Sequence, residues 1–164
     1  MNKMNVFISV IFSLFIHTAC FSQPVSKIKI TDLNKLIKES DSVLIINFWA
    51  TFCKPCVEEI PDLIRLSKKY KKEKVTLYLV SLDLEDYYPK KIKKFVTQKK
   101  YAANIAWLNE SNADYFCPLI DTTWSGAIPA TLFINNKTGY RKFYEKKLTA
   151  GEIEEAVKGA LGKL

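Results

Sequence analysis

Apolar and polar positions alternate along this chain in short blocks whose periods predict helices and strands in turn. Thr31 is placed to cap a helix with Leu33, Leu36 and Ile37 on one face, and Ser40, Asp41 and Ser42 end it. Val43 to Trp49 is an apolar run broken only by Asn47, the pattern of a strand buried on both faces of a mainly parallel sheet. It is the predicted central strand. Ile60, Leu63, Ile64 and Tyr70 then share a helical face, with Pro61 expected to kink that helix. Val75 to Leu82 reads as the next buried strand. Pro89 suits the first turn of a helix that carries Ile92, Phe95 and Val96 inward.

Ile105 to Leu108 is short enough for one further strand. Thr131 to Ile134 and Tyr140 to Tyr144 flank the turn chemistry of Asn135, Asn136, Lys137, Thr138 and Gly139, which predicts an antiparallel hairpin. Thr149 followed three residues later by Glu152 is a capping-box pattern, and Ile153, Ala156, Val157, Ala160 and Leu161 continue it as one apolar face. Strands joined by helical crossovers, then a hairpin and a closing helix, describe an α/β sandwich around a mixed sheet. With 164 residues, nearly half of them apolar, and no repeat or interdomain linker, the chain fits a single domain.

The N-terminus changes the picture of where that domain works. A positive start at Lys3, an apolar run from Val6 to Ile16 and small residues at Thr18, Ala19, Cys20 and Ser22 follow the order of a secretory signal. The run is shorter than the roughly 18 to 20 residues of a spanning helix, which favours removal near Ser22. Residues 1–22 are therefore expected to be a signal peptide and residues 23–164 the working domain. Cys20 also suits lipid attachment at a new N-terminus, hence a membrane tether, although His17 stands where such signals carry an aliphatic residue. Either way the location implied is extracytoplasmic, in the periplasm or cell envelope.

Losing residues 1–22 removes only Lys3 from a formal net charge of +8, so the basic surplus belongs to the working domain. Lysines at 68, 69, 71, 72 and 74, and at 90, 91, 93, 94, 99 and 100, interleave with apolar residues at helical spacing and read as solvated helix faces. Export and the absence of a recognisable nucleic-acid module count against nucleic acid as a partner, leaving an anionic membrane surface or an acidic protein.

The candidate chemistry lies between the central strand and the next helix, in Cys53-Lys54-Pro55-Cys56. A thiol at a helix N-terminus meets unpaired amide N–H groups and the positive end of the helix dipole, which favour its thiolate. Cys53 is thus the expected nucleophile, and Cys56, one turn further in, can attack a mixed disulfide on Cys53 and release the reduced substrate. Lys54 adds a positive charge that favours the same thiolate. Three other readings compete. Zinc lacks ligands, because Cys117 is the only other mature cysteine and the single histidine, His17, lies in the signal. A copper carrier lacks the usual His or Met partner. A purely structural disulfide is the third. No metal and no cofactor are expected.

The segments Phe48-Trp49-Ala50-Thr51 and Cys53-Lys54-Pro55-Cys56 resemble the active site of thioredoxin-like proteins of the TlpA-like and ResA-like group. The resemblance implies a thioredoxin-like three-layer sandwich. It also implies an extracytoplasmic protein-disulfide reductase with a redox-active Cys53–Cys56 disulfide, protein substrates and a membrane electron donor. Roles in cytochrome c maturation and cell redox homeostasis, and action as a monomer, come with it. Glu59 falls at the group's active-site carboxylate, on the helical face of Cys56, where it can serve as a base or a through-water relay for the resolving thiol. Ile128-Pro129 falls at the group's cis proline, beside which a substrate strand can pair with the preceding residue. With Trp49, these two positions form the implied substrate-binding set.

The sequence also departs from the group. Phe52 replaces a second Trp and is expected to keep apolar cover. Asn47 replaces the buried acid of cytoplasmic thioredoxins, and the region before Val43 looks like a plain thioredoxin opening. Pro55, shared with thioredoxin, points toward a reducing potential, while Lys54 pulls the other way. Glu58 reads as a solvated neighbour and Cys117 as a partly buried free thiol. Two rivals remain: an oxidant that introduces disulfides, and a thioredoxin-fold binding module with a permanent disulfide. A peroxidase lacks its PxxxTxxC arrangement here.

Overall fold

In the computed structural model, which describes residues 24–163, the seven-residue strand β2 (Val43–Trp49) is buried along its whole length. Its odd residues Val43, Ile45 and Trp49 enter one apolar cluster and its even residues Leu44, Ile46 and Phe48 enter another, one on each face of the sheet. Around it the strands β1 (Val25–Ile28), β3 (Val75–Ser81), β4 (Asn104–Leu108), β5 (Ala130–Asn135) and β6 (Tyr140–Tyr144) form a sheet of order β1-β4-β3-β2-β5-β6. The first four in that order run parallel. β2 pairs antiparallel with β5, from Leu44 opposite Ile134 to Phe48 opposite Ala130.

Helices cover both faces, giving the three-layer sandwich. The apolar side chains of α2 (Lys54–Lys69), α3 (Lys90–Gln98) and α5 (Ala150–Ala160) join the cluster with Trp49, and those of α1 (Ile30–Glu39) and α4 (Ala113–Ile120) join the cluster with Phe48. Each large side chain taken fully out of water contributes roughly 1.5–3 kcal/mol before chain entropy is set against it. The expected signal and the Cys20 tether lie outside the described residues. No helix among the described residues is long and apolar enough to cross a membrane.

The differences from expectation have local causes. Thr31 is not the cap of α1: the helix begins at Ile30, and the Asp32 carboxylate accepts the Lys29 N–H at 2.8 Å. β1 escapes a periodicity search because it has four residues and two of them, Ser26 and Lys27, are exposed at the sheet edge. α4 escapes because Pro118 lies inside it. The helix α2 runs continuously from Lys54 to Lys69 through Pro61. Proline there leaves the Val57 carbonyl without its usual partner four residues on, and the Tyr101 hydroxyl donates to that oxygen at 3.4 Å.

The capping box at α5 is present in full: Glu152 N–H donates to Thr149 Oγ1, and the Thr149 N–H donates to the Glu152 carboxylate at 2.8 Å. Thr149→Ala is expected to lower unfolding stability by about 1 kcal/mol, read as a shift in the urea midpoint with unchanged slope.

Candidate active site

β2 runs out at Trp49, and the chain turns through Ala50 to Phe52 before α2 begins at Lys54, so Cys53 occupies the N-cap of that helix. Its Sγ accepts the Cys56 N–H at 3.3 Å, which satisfies one of the amides that a helix start leaves unpaired. Cys53 and Cys56 form a disulfide with an S–S distance of 2.00 Å and a Cα separation of 5.3 Å. Cys53 is 8% exposed and Cys56 is fully buried, so a partner reaching the pair meets Cys53 first. Lys54 and Pro55 are exposed on the rim.

Antiparallel pairing of β2 with β5 brings Ile128 and Pro129, just before Ala130, to the same end of the sheet. The Ile128–Pro129 peptide is cis, and the Ile128 carbonyl oxygen lies 3.8 Å from Cys53 Sγ. A second cis bond, Tyr88–Pro89, precedes α3.

Glu59 is only 1% exposed, one turn beyond Cys56 on α2. Its Oε1 accepts from Asn47 Nδ2 at 2.8 Å and its Oε2 from the Leu148 N–H at 2.7 Å. Asn47 Nδ2 also donates to Thr131 Oγ1 at 2.9 Å, so β2, α2, β5 and the approach to α5 meet around one carboxyl group. Burial disfavours the charged form and pushes Glu59 up from 4.5 to about 7, against the two hydrogen bonds and the distant Lys147 charge that favour it. Glu58, by contrast, is exposed and pairs with Lys147 at 2.6 Å.

Three placements correct the sequence reading. Trp49 does not line a substrate surface: its indole is fully buried, with ring centroids 5.8 Å from Phe95 and 6.0 Å from Tyr101, because β2 is covered on both faces. Phe52 gives no cover, being 66% exposed beside Cys53. Cys117 is buried rather than partly buried; it is a free thiol on α4, and burial pushes its pKa up to about 11.

Two carboxylates that pattern reading passed over hold the loops of the site. Asp83, buried just past β3, accepts from the Thr51 N–H at 3.0 Å, from Thr51 Oγ1 at 2.6 Å and from Ser81 Oγ at 2.7 Å, and so fixes the turn into Cys53. Glu145, just past β6, accepts from the Ser125 N–H at 3.1 Å and the Ala127 N–H at 2.9 Å, and so fixes the approach to Ile128. The only local hint was the Ser81-x-Asp83 spacing. Among the described residues, no group of three or more His, Cys, Asp or Glu is placed to hold a metal ion.

Residues 17–139 match the AhpC/TSA family. The chain is similar to the thiol-disulfide oxidoreductase ResA of Oceanobacillus iheyensis, 30% identical over 118 residues that cover 72% of this chain and 50% of that protein. It is similar also to the thioredoxin-like protein YneN of Bacillus subtilis, 35% identical over 113 residues, 68% of this chain and 61% of that one. The chain thus spans about half the length of the first relative and three fifths of the second. Among solved structures, the thioredoxin-related protein from Neisseria meningitidis serogroup B superposes with a TM-score of 0.59 at 28% identity, covering 75% of this chain and 84% of that one. StoA from Bacillus subtilis shares the fold, with a TM-score of 0.54 at 22% identity over 74% of this chain and 86% of its own. The fold is that of thioredoxin.

The Glu59 environment makes stability depend on pH in a defined window. Between pH 4.5 and about 7 the folded protein keeps a proton on Glu59 that the unfolded chain has released. Stability therefore falls as pH rises through that window, by on the order of 3 kcal/mol, and levels off above it. Glu152 and Glu154, lowered to about 2 by Lys146 and Lys69, act only below pH 4.5 and leave this window clear. Denaturant titrations at pH 5 and pH 8 should show the fall in the wild type and a much flatter profile in Glu59→Gln.

Proposed function

Since this chain belongs to the AhpC/TSA family, we propose that it is an exported thiol-disulfide oxidoreductase that reduces protein disulfides through Cys53 and Cys56. The observation that carries this reading is the Cys53–Cys56 disulfide at the start of α2, with the Cys53 sulfur facing Ile128 and a buried carboxyl group, Glu59, one turn beyond Cys56 on the same helix. A permanent structural bridge needs neither the partial exposure of Cys53 nor a titratable group one turn behind Cys56.

In the reduced protein the Cys53 thiolate attacks one sulfur of a substrate disulfide. A bond forms between Cys53 and that sulfur, and the other substrate sulfur leaves as a thiolate. The Cys56 thiol then gives up its proton, with Glu59 as the acceptor directly or through a water. A carboxyl group that titrates at about 7 can take this proton and return it near neutral pH. The Cys56 thiolate attacks Cys53 Sγ, the second substrate thiolate departs, and the protein is left with its disulfide. Two electrons have passed to the substrate. A membrane electron donor returns them by reducing Cys53–Cys56.

Asp83 and Glu145 serve as positioning residues that hold the two loops facing the substrate. An extended substrate segment pairs with the backbone at Ile128, beside the cis proline. Phe52, with Leu84 at 70% exposure just beyond Asp83, offers apolar contact at the rim. Pro55 between the thiols supports the reducing direction, and the CxxC pair without a PxxxTxxC arrangement supports exchange over peroxidase chemistry. Export rests on the order of charged, apolar and small residues in 1–22.

Cys56→Ser is expected to trap substrate proteins as mixed disulfides on Cys53, seen as adducts on non-reducing gels that disappear with reductant. Cys53→Ser/Cys56→Ser should trap none, and absence of adducts from the single variant would defeat the reading. The potential of the purified dithiol, equilibrated against glutathione, should fall nearer the roughly −270 mV of thioredoxin than the −120 mV or so of DsbA; a value at the DsbA end makes the protein an oxidant instead.

A further inference from the structure

Lysines gather at the end of the sheet opposite the disulfide. α2 descends from Cys53 and finishes with Lys68 and Lys69, Lys71 and Lys72 follow, and Lys74 precedes the first residue of β3. α3 descends alongside, and Lys100 precedes β4 at the same end. Lys68, Lys71 and Lys74 line an open groove of about 540 Å³ with Ser42, Ser67 and Asn104. Lys74 pairs with Asp41 and Lys69 with Glu154, but Lys68, Lys71, Lys72 and Lys100 have no acidic partner among the described residues. At the other end charges are mixed: Asp83, Glu85, Asp86, Glu110 and Glu145 stand with Lys54, Lys90, Lys91, Lys94 and Lys147.

The entry of the chain falls at the lysine end. Val25 sits opposite Ile105 at the start of β4, and Pro24 lies in a recess with Ala103 and Asn104, next to the groove.

We propose that the lysine-bearing end of the domain, where the chain enters at Pro24, rests on an anionic bilayer surface with Cys53 facing away from it. Four unpaired lysines on long flexible stems suit a charged plane, which asks for no matched shape, better than the contoured surface of an acidic protein. β2 alone spans roughly 20 Å, so the disulfide stays clear of the headgroups and open to substrates.

Flotation of the full chain with phosphatidylcholine vesicles, with and without phosphatidylglycerol, tests this. The apolar run Val6–Ile16 acts on both vesicle types, so the ratio of the two partition coefficients isolates the lysine end. Each lysine held at an anionic surface is worth roughly fivefold in binding. The triple variant Lys68→Gln/Lys71→Gln/Lys72→Gln is expected to lower the ratio on the order of a hundredfold, as should high salt. Lys90→Gln/Lys91→Gln/Lys94→Gln, on α3 nearer the disulfide, should leave it unchanged. Equal binding of the wild type to both vesicle types, or equal loss from both triple variants, overturns the proposal. Wild-type rates of disulfide reduction in solution by both variants would show that such a failure concerns the surface and not the redox site.

Discussion

One buried carboxyl group ties the active-site helix to the central strand and to the chain ahead of the last helix. Glu59 reaches from α2 to Asn47 on β2 and to the Leu148 N–H ahead of α5, and Asn47 passes the contact on to Thr131 on β5. Apolar packing sets how closely α2 lies on the sheet, but it is not directional. Hydrogen bonds to a fixed oxygen pair are, and they hold α2 against sliding or turning on the strands below. The disulfide at the N-terminus of α2 is thereby aligned with Ile128, whose position comes from the same β2–β5 pairing.

Stability alone gives no reason to keep a carboxyl group there. Replacing a buried charged network by well-packed apolar residues is often neutral or stabilising. Burial raises Glu59 to about 7, so at neutral pH the group stands near its midpoint, poorly suited to permanent charge and well suited to exchanging a proton. The acceptor Asn47 Oδ1 is also buried without a partner among the described residues, a further cost borne at the same place. Such concentrated expense next to a CxxC pair is what a working site displays and what a structural bridge has no use for.

What could be read from the sequence divides along the range of the interactions. β2 was legible because being buried on both faces leaves a continuous apolar run, and α5 because its capping box lies within four residues. Cys53 and Cys56 were legible because the chemistry needs them one turn apart. The burial of Glu59 depends on Leu148, 89 residues away, so only a family resemblance could single it out. The clamp of Asp83 on Thr51 spans 32 residues and that of Glu145 on Ala127 spans 18, each joined by the sheet and invisible to local periodicity. Trp49 shows the opposite error. It sits inside a recognisable motif, yet a strand covered on both faces keeps its indole in the core, so the motif marks the site without naming the side chains that face a substrate.

Parallel strands also explain how one small domain can keep two charged surfaces from interfering. Loops that leave the C-terminal ends of β2, β3 and β4 gather around the disulfide, while α2 and the turn after it deliver Lys68, Lys69, Lys71, Lys72 and Lys74 to the N-terminal ends. The two are separated by at least the length of β2, roughly 20 Å, against a screening length of about 8 Å at physiological salt. Across that distance the lysine end has little influence on the charge of Cys53 or the proton of Glu59. The sulfur chemistry is therefore set by what stands near it in the fold: the Cys56 amide and the Ile128 carbonyl at Cys53 Sγ, and the buried carboxyl group one turn beyond Cys56. Ionic strength should govern where the domain sits, and pH should govern how its thiols react.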